Sequence, residues 1–310
     1  MNPILALIIT NLIWGAASPI FKYALTNIPP FTLAFIRFFF ASLLFLPFCT
    51  KVNLRDITKR DWFDIFLGAF FGISINVGFF FLGVQKTESI NVPIIASTGP
   101  LFIFLFSVIF LGEKPKFKVL AGMILSFIGA LGIIFSPIIF DGKTIKDFGA
   151  FEGNLMIVLA TLGSVIQPVV LKNVMKRVSP YFISLSTFFI GALTFIPLMM
   201  SELDKWSFVS LNLAGVVGII FGVFFSSALA YFLFYYGLSK ISTQEVGLFT
   251  YIDPVVAILI AVPLLGEYPN LYFFLGSILI FGGIFIAENR IHWHPFHKLK
   301  IKSEKLKITV

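Results

Sequence analysis

An acidic residue stands next to a proline inside one of the most apolar stretches of the chain. Asp253 and Pro254 interrupt residues 245–265, which read EVGLFTYIDPVVAILIAVPLL. In a helix that crosses a membrane, an ionised carboxylate costs at least about 2.5 kcal/mol and usually faces a cavity or a partner. Proline would also leave the carbonyl of Thr250 without its helical hydrogen bond. The pair predicts a polar centre for proton coupling or for a substrate amine; a packing kink, with Asp253 bonded to a neighbouring hydroxyl, is the alternative.

Arg37 is a second charge inside a long apolar stretch, in the segment FTLAFIRFFFASLLFLPF. A charge in a low dielectric needs a partner, and a pairing between Arg37 and Asp253 would satisfy both groups. Binding of a substrate carboxylate is the other interpretation of this guanidinium. Arg37 is therefore predicted to serve either as a structural contact or as part of a substrate site.

Two further segments carry polar side chains at intervals of mostly three or four residues. They contain Asn11, Trp14, Ser18 and Lys22, and Thr161, Ser164, Gln167 and Lys172. This spacing keeps each set near one face of a helix, and a polar face on a membrane helix indicates a cavity or a helix contact. We predict a cavity in which Trp14 offers the stacking surface for a flat substrate. Weaker candidates for the same cavity are Asn76, Ser97, Thr98, Ser226, Ser227, Tyr231 and Tyr251.

The composition requires a membrane to surround these residues. Hydrophobic residues make up 58% of the 310 residues and charged residues 12%, whereas soluble domains carry about 25% charged residues. The single cysteine excludes an intrachain disulfide framework. A helix needs roughly 20 apolar residues to cross a bilayer. Suitable runs lie at residues 4–21, 31–49, 65–84, 93–111, 119–139, 153–171, 181–200, 213–236, 245–264 and 271–288.

The distribution of basic residues predicts the orientation. With the N-terminus inside, the inner loops and the C-terminal tail hold most of the 23 Lys and Arg residues, and such residues concentrate on the cytoplasmic side. We therefore expect a multi-pass protein of the plasma (inner) membrane with both termini in the cytoplasm. The net charge of +8 is then a topology signal and implies no nucleic-acid partner, although the basic tail should attract anionic membrane lipid.

The chain contains an internal repeat. GPLFIFLFSVIFLGEKP at residues 99–115 aligns with DPVVAILIAVPLLGEYP at residues 253–269. Each copy holds five predicted spans, and because five is odd the second copy enters the membrane from the opposite side. The predicted fold is an all-α polytopic membrane protein with ten transmembrane helices in two inverted five-helix repeats, a pattern of secondary transporters with a midplane site. The units are a first repeat at 1–140, an external linker at 141–152, a second repeat at 153–288 and a basic cytoplasmic tail at 289–310.

Both copies resemble the EamA repeat of the drug/metabolite transporter superfamily. The resemblance is carried by FLGVQKTESINVPIIASTGPLFIFLFSVIFLGEKP and YYGLSKISTQEVGLFTYIDPVVAILIAVPLLGEYP, and by the opening NLIWGAASPIFKYAL. It implies a ten-helix carrier that exports or exchanges small organic metabolites such as amino acids, nucleosides or sugars. The family often has Glu before the central proline. Here Asp253 and Gly99 occupy those positions, so a carboxylate with the same role in both halves is not expected.

We therefore expect a secondary transporter that works by alternating access. It would be an efflux permease that exports amino acids or related metabolites, and protons are the candidate coupling ion. Alternatives are a lipid or lipid-linked-sugar flippase, and a non-transporting scaffold or intramembrane enzyme. The chain has no P-loop, and its three histidines lie at 292–297, so no enzyme activity, metal or cofactor is expected. Glu113 and Glu267 are predicted to make helix-end hydrogen bonds. The predicted substrate-binding residues are Asn11, Trp14, Ser18, Arg37, Asn76, Ser164, Gln167, Tyr231, Thr250 and Asp253.

Overall fold

The computed structural model describes the greater part of the chain. The described residues are 2–50, 52, 57–99, 101–102, 117–139, 149–240, 246 and 248–288. Glu113, most of the run predicted at 93–111 and the histidines of the tail lie outside them. The described residues form helices and no β-strand.

The helices match the predicted spans to within a few residues in most cases. They are α1 (Pro3–Ala24), α2 (Pro30–Phe45), α3 (Lys59–Lys86), α4 (Asn91–Ala96), α5 (Phe117–Ile139), α6 (Gly149–Val174), α7 (Pro180–Leu203), α8 (Leu213–Lys240), α9 (Asp253–Leu265) and α10 (Leu271–Glu288). Among the described residues, six of these helices (α1 to α3 and α6 to α8, with α2 continued to Phe48) are long and apolar enough to cross a membrane. Phe63, Phe127, Leu259 and Phe285 are among the large apolar side chains exposed on the outside. Such a surface suits lipid and would aggregate in water.

The start of α9 differs from the prediction of one span over residues 245–264. A 3-10 turn, Leu248–Ile252, comes first, and α9 begins at Asp253. Pro254 therefore lies in the first turn of α9, where a 3-10 turn changes to an α-helix. The predicted loss of a helical bond at the Thr250 carbonyl stays a prediction. Thr250 belongs to the turn that precedes the helix.

The helices pack in a pattern that repeats itself. The helix α2 packs on α7, and α5 packs on α10. The helix α1 contacts α8 and α9, while its aligned counterpart α6 contacts α3 and α4. The contacts of α1 with α8 and α9 thus correspond to those of α6 with α3 and α4. The α2–α7 and α5–α10 contacts each join a helix to its own counterpart in the other half. The functional consequence is that α1 and α6 each reach across to the other half and can line a space between them.

Glycines allow some of the closest of these approaches. A methyl group on Gly129 of α5 would lie 2.7 Å from the carbonyl oxygen of Gly276 in α10. One on Gly276 would lie 3.0 Å from the carbonyl oxygen of Gly129. Two backbones at this distance leave no room for side chains, which is the usual use of small residues between membrane helices.

Candidate substrate-binding cavity

A cavity of about 240 Å³ lies between the helices, with α1 to α4, α6, α8 and α9 all contributing to its wall. This volume is just below the range of about 300–1,000 Å³ that is typical of ligand sites, so any ligand held there would be small. All the predicted substrate-binding residues except Asn11 line it. The stripes on α1 and α6 thus meet in one space, as the spacing of their polar residues predicts.

Asn11 was wrongly placed in this cavity. Its side chain is buried one turn before Trp14, and its Nδ2 donates to the carbonyl of Leu7 at 2.7 Å. The amide therefore turns back onto its own helix, as polar side chains in membrane helices often do. Residue spacing placed Asn11 on the correct face of α1, but it does not define where along that face the cavity ends.

Arg37 is held in the wall by serines and aromatic rings. Its Nε donates to Oγ of Ser227 at 2.6 Å, and its Nη2 donates to Oγ and the carbonyl of Ser226 at 3.0 and 3.3 Å. The guanidinium carbon lies 4.9 Å from the ring centre of Phe21 and 4.6 Å from that of Phe38. No carboxylate pairs with Arg37 among the described residues. The expected pairing with Asp253 is thus absent from the described contacts, and the cation is stabilised by neutral groups.

A widened stretch of α8 presents these serines. Residues Phe221–Leu229 form a π-helical segment, and the carbonyl of Ser226 within it accepts from Nε1 of Trp14 at 3.2 Å as well as from Arg37. The helix α3 has a similar segment, Phe70–Ile75. Single π-helical segments occur often at functional sites, because they redirect the groups that the helix presents. Here the segment in α8 ties the indole and the guanidinium to one carbonyl.

Asp253 lines the same cavity from the start of α9. Its Oδ1 is buried and has no hydrogen-bond donor among the described residues. The backbone of α1 lies directly behind it, since a methyl group on Gly15 would be 2.8 Å from the carbonyl oxygen of Asp253. An ionised carboxylate without donors is unfavourable in a low dielectric. A proton or a bound cation would relieve that cost.

The hydroxyl groups of the wall donate to their own helices. Thr161, Ser164 and Ser97 each bond to a backbone carbonyl three or four residues earlier, at 2.7 to 2.8 Å. Since these hydrogens are already engaged, the oxygen atoms of the three hydroxyls retain only acceptor capacity. Such groups suit a ligand that donates hydrogen bonds.

Two amides connect α6 to α3. Asn76 donates from Nδ2 to the carbonyl of Ala160 at 2.8 Å, and Gln167 donates from Nε2 to the carbonyl of Gly68 at 3.1 Å. Both side chains line the cavity. Each amide therefore uses one of its two N–H donors in a contact between α3 and α6, so both side chains have a structural role in the wall.

The sequence comparisons agree with this architecture. The profile of the EamA-like transporter family matches residues 1–135 and 151–288. The chain belongs to the EamA-like transporter family. The uncharacterized transporter YetK of Bacillus subtilis (strain 168) is 28% identical over 276 residues, which cover 88% of this chain and 82% of YetK. An uncharacterized transporter of Archaeoglobus fulgidus is 29% identical over 296 residues, 93% of this chain and 98% of that protein. A solved crystal structure shares the fold, with a TM-score of 0.64 and 16% identity over 94% of this chain and 98% of the other.

The EamA-like membership confirms the resemblance read from the two repeat segments. It makes the protein a multi-pass membrane protein of a small-molecule transporter family. The resemblance did not identify the apolar wall of the cavity. Trp14 lies 5.1 Å from the ring centres of both Tyr231 and Phe234, and Phe21 and Phe80 continue this surface. With 41 phenylalanines in the chain, no sequence signal separates cavity-facing rings from lipid-facing ones.

The weaker candidates divide between the cavity and the surrounding structure. Ser97 and Ser226 line the cavity, whereas Thr98, Ser227 and Tyr251 are absent from its wall. Ser227 contributes indirectly, through its bond to Arg37. At the ends of the polar stripes, Lys22 pairs with Glu267, and Lys172 donates to the carbonyl of Leu238. Both lysines thus anchor helix ends and do not reach the cavity wall.

Proposed function

We propose that the protein is a secondary transporter that exports small zwitterionic metabolites, amino acids and related compounds, by alternating access. One observation carries the proposal: a single cavity contains the cation of Arg37 and the carboxylate of Asp253, and the described contacts do not pair them. A zwitterion with its ammonium group at Asp253 and its carboxylate at Arg37 would leave the cavity electrically balanced. Its side chain would lie against the aromatic surface that includes Trp14 and Phe234.

The proposed architecture places this cavity between two inverted repeats. Residues 1–140 and 153–288 form the repeats, 141–152 form an outer linker and 289–310 a cytoplasmic tail. Arg37 then belongs to the first repeat and Asp253 to the second. The packing of α1 and α6 across the halves supports this arrangement. A site shared by two similar halves of opposite sense can be exposed to either side by exchanging their conformations.

Asp253 also supplies a means of coupling to protons. Its carboxylate can be neutralised by a proton or by a substrate ammonium group, and the two occupants exclude each other. A carrier with such a site exchanges protons for substrate, so an inward proton gradient would drive export. The unpaired Oδ1 supports this role, because a carboxylate already satisfied by protein donors would have less need of either occupant.

Transport into proteoliposomes tests the proposal. Asp253→Asn keeps the shape of the side chain and removes its charge. It should bind substrate more weakly, because the ammonium group loses its ion partner, and still exchange substrate at high concentration, but lose accumulation driven by a pH gradient. Asp204→Asn makes the same change at an exposed carboxylate after α7 and should leave transport unchanged. Phenylalanine, phenethylamine and 3-phenylpropionate compare the zwitterion with its two singly charged analogues, and the zwitterion should be preferred.

Three outcomes would contradict the proposal. Normal proton-driven transport by a well-folded Asp253→Asn protein would show that Asp253 is not needed for proton coupling. Equal transport of phenethylamine and phenylalanine would show that the substrate carboxylate is not recognised. Lipid scrambling in the same vesicles, with no uptake of any of the three compounds, would indicate a flippase instead.

A further inference from the structure

Three segments of the chain meet at one end of the bundle through the carboxylate of Glu267. Its Oε1 pairs with Nζ of Lys22 at 2.6 Å. Its Oε2 accepts from the backbone N–H and Oγ of Ser89, at 2.7 and 2.6 Å. Nζ of Lys22 also donates to the carbonyl of Thr87 at 2.6 Å. Both carboxylate oxygens and the ammonium group are thus engaged within one cluster.

Burial separates this cluster from an ordinary surface ion pair. The side chains of Lys22 and Glu267 are 26% and 11% exposed. Lys86 and Glu152 form a pair with the same 2.6 Å separation, but with 38% and 47% exposure. Exposed pairs contribute little to stability, whereas removing one partner of a shielded pair leaves an uncompensated charge. The Lys22–Glu267 contact is therefore expected to be harder to separate than the more exposed Lys86–Glu152 pair.

The cluster joins the two family matches. Lys22, Thr87 and Ser89 lie in the match at 1–135, and Glu267 lies in the match at 151–288. Lys22 is in the last turn of α1, and Glu267 follows Gly266, whose φ of 68° ends α9. Because α1 and α9 also pack along each other beside the cavity, the cluster fastens the ends of two helices that form its wall.

We propose that Lys22, Thr87, Ser89 and Glu267 form an outer latch that closes this end of the cavity. The end is the outer one in the orientation that the basic residues predict. The inference rests on the proposed alternating access, since a cavity that opens outward must separate the ends of α1, α4 and α9. The structure then represents a state closed to the outside, and breaking the latch shifts the population toward states open to the outside.

Thiol labelling of a cavity position tests the latch without requiring transport. Cys49 is the only cysteine in the chain, so Cys49→Ser provides a background for Ala96→Cys, an exposed position on the cavity wall. A charged, membrane-impermeant thiol reagent is applied to the outer face. Labelling should be slow with the latch intact and about tenfold faster in Glu267→Gln. A tenfold increase in the population of the outward-open state would give this change in rate. Glu152→Gln breaks the exposed pair and should change the rate less than about twofold.

A double-mutant comparison separates the latch from general loosening. Lys22→Gln should accelerate labelling as Glu267→Gln does, and combining them should add little, because both remove one contact. If Glu267→Gln fails to insert, Lys22→Gln and Ser89→Ala test the same cluster from the first half. The latch would be overturned if labelling from the outer face stays slow in the folded variants, or if it is already fast with the latch intact. It would also be overturned if the double variant increases the labelling rate by the product of the two single effects. Absence of transport by the intact protein would contradict the proposed function but leave these rates interpretable.

Discussion

Gly15→Ala should damage transport more than stability, because the added methyl group pushes directly on the residue proposed to couple. The new Cβ would lie 2.8 Å from the carbonyl oxygen of Asp253, 2.9 Å from its Cα and 2.8 Å from Cβ of Val256. None of these atoms can rotate away, since they belong to the backbone or to the root of a β-branched side chain. The contacts must open to at least the ordinary 3.4 Å, so α9 must move away from α1.

Two free-energy terms of opposite sign set the effect of Gly15→Ala on stability, and the displacement of Asp253 sets its effect on uptake. Overpacking costs about 1–3 kcal/mol, and replacing glycine by alanine inside a helix returns about 1 kcal/mol. We therefore expect Gly15→Ala to lower the free energy of unfolding by no more than about 2 kcal/mol. A displacement of about 1 Å at a reacting group can reduce the rate by about a hundredfold. A shift of roughly half that size at Asp253 should reduce proton-driven uptake by about tenfold.

Gly132→Ala provides the matched control. It makes the same substitution in α5, where a methyl group would meet nothing within 4 Å. It should raise the free energy of unfolding by about 0.5–1 kcal/mol and leave uptake unchanged. Unfolding in mixed detergent and pH-driven uptake into proteoliposomes measure the two quantities for each variant. If Gly15→Ala behaves like Gly132→Ala in both assays, the close contact between α1 and α9 does not position Asp253.

Two further predictions concern contacts that position the helices around the cavity. Ser227→Ala removes the oxygen that accepts from Nε of Arg37, so KM for a zwitterion should rise by about three- to tenfold, a change within the measured energies of membrane hydrogen bonds. Ser227→Thr keeps the hydroxyl group and should give the KM of the unchanged protein. An unchanged KM in Ser227→Ala would show that Ser227 does not position Arg37 for substrate. Glu202 accepts from the backbone N–H groups of Phe31 and Thr32 at 3.0 and 2.6 Å, so Glu202→Ala should lower the free energy of unfolding by about 1–2 kcal/mol, as loss of a helix N-cap does, while the exposed Ser201→Ala should have no such effect.

The sequence predicted the elements well where a simple physical rule governs them. Long apolar runs form helices because a bilayer offers no other partner for the backbone. The start of α9 was missed because hydrophobicity alone does not distinguish a helix from the 3-10 turn at Leu248–Ile252. Pro254 was the available signal, since proline is favoured in a first turn as well as at a kink.

The site was predictable to the extent that polar residues stand out in an apolar sequence. Trp14, Ser164 and Asp253 interrupt apolar runs, and all three line the cavity. The partner of Arg37 was not predictable, because the serines that bind it lie about 190 residues away on α8. Their approach depends on the π-helical segment, which shifts the angular position of every following side chain. A prediction that assumes regular α-helical spacing therefore assigns the side chains after this segment to the wrong face of α8.

The two charges of the cavity are not repeated between the halves. Aligning Pro30 with Pro180 places Arg37 opposite Thr187, and aligning Pro100 with Pro254 places Asp253 opposite Gly99. Among the described residues of the cavity wall, each half therefore contributes one charge, so a zwitterion bound to both charges would contact both halves. Under the proposed mechanism, a movement of one half against the other changes the distance between the two charges. The binding energy of a zwitterion then depends directly on the arrangement of the halves, and differential affinity of this kind is what allows a ligand to shift a conformational equilibrium.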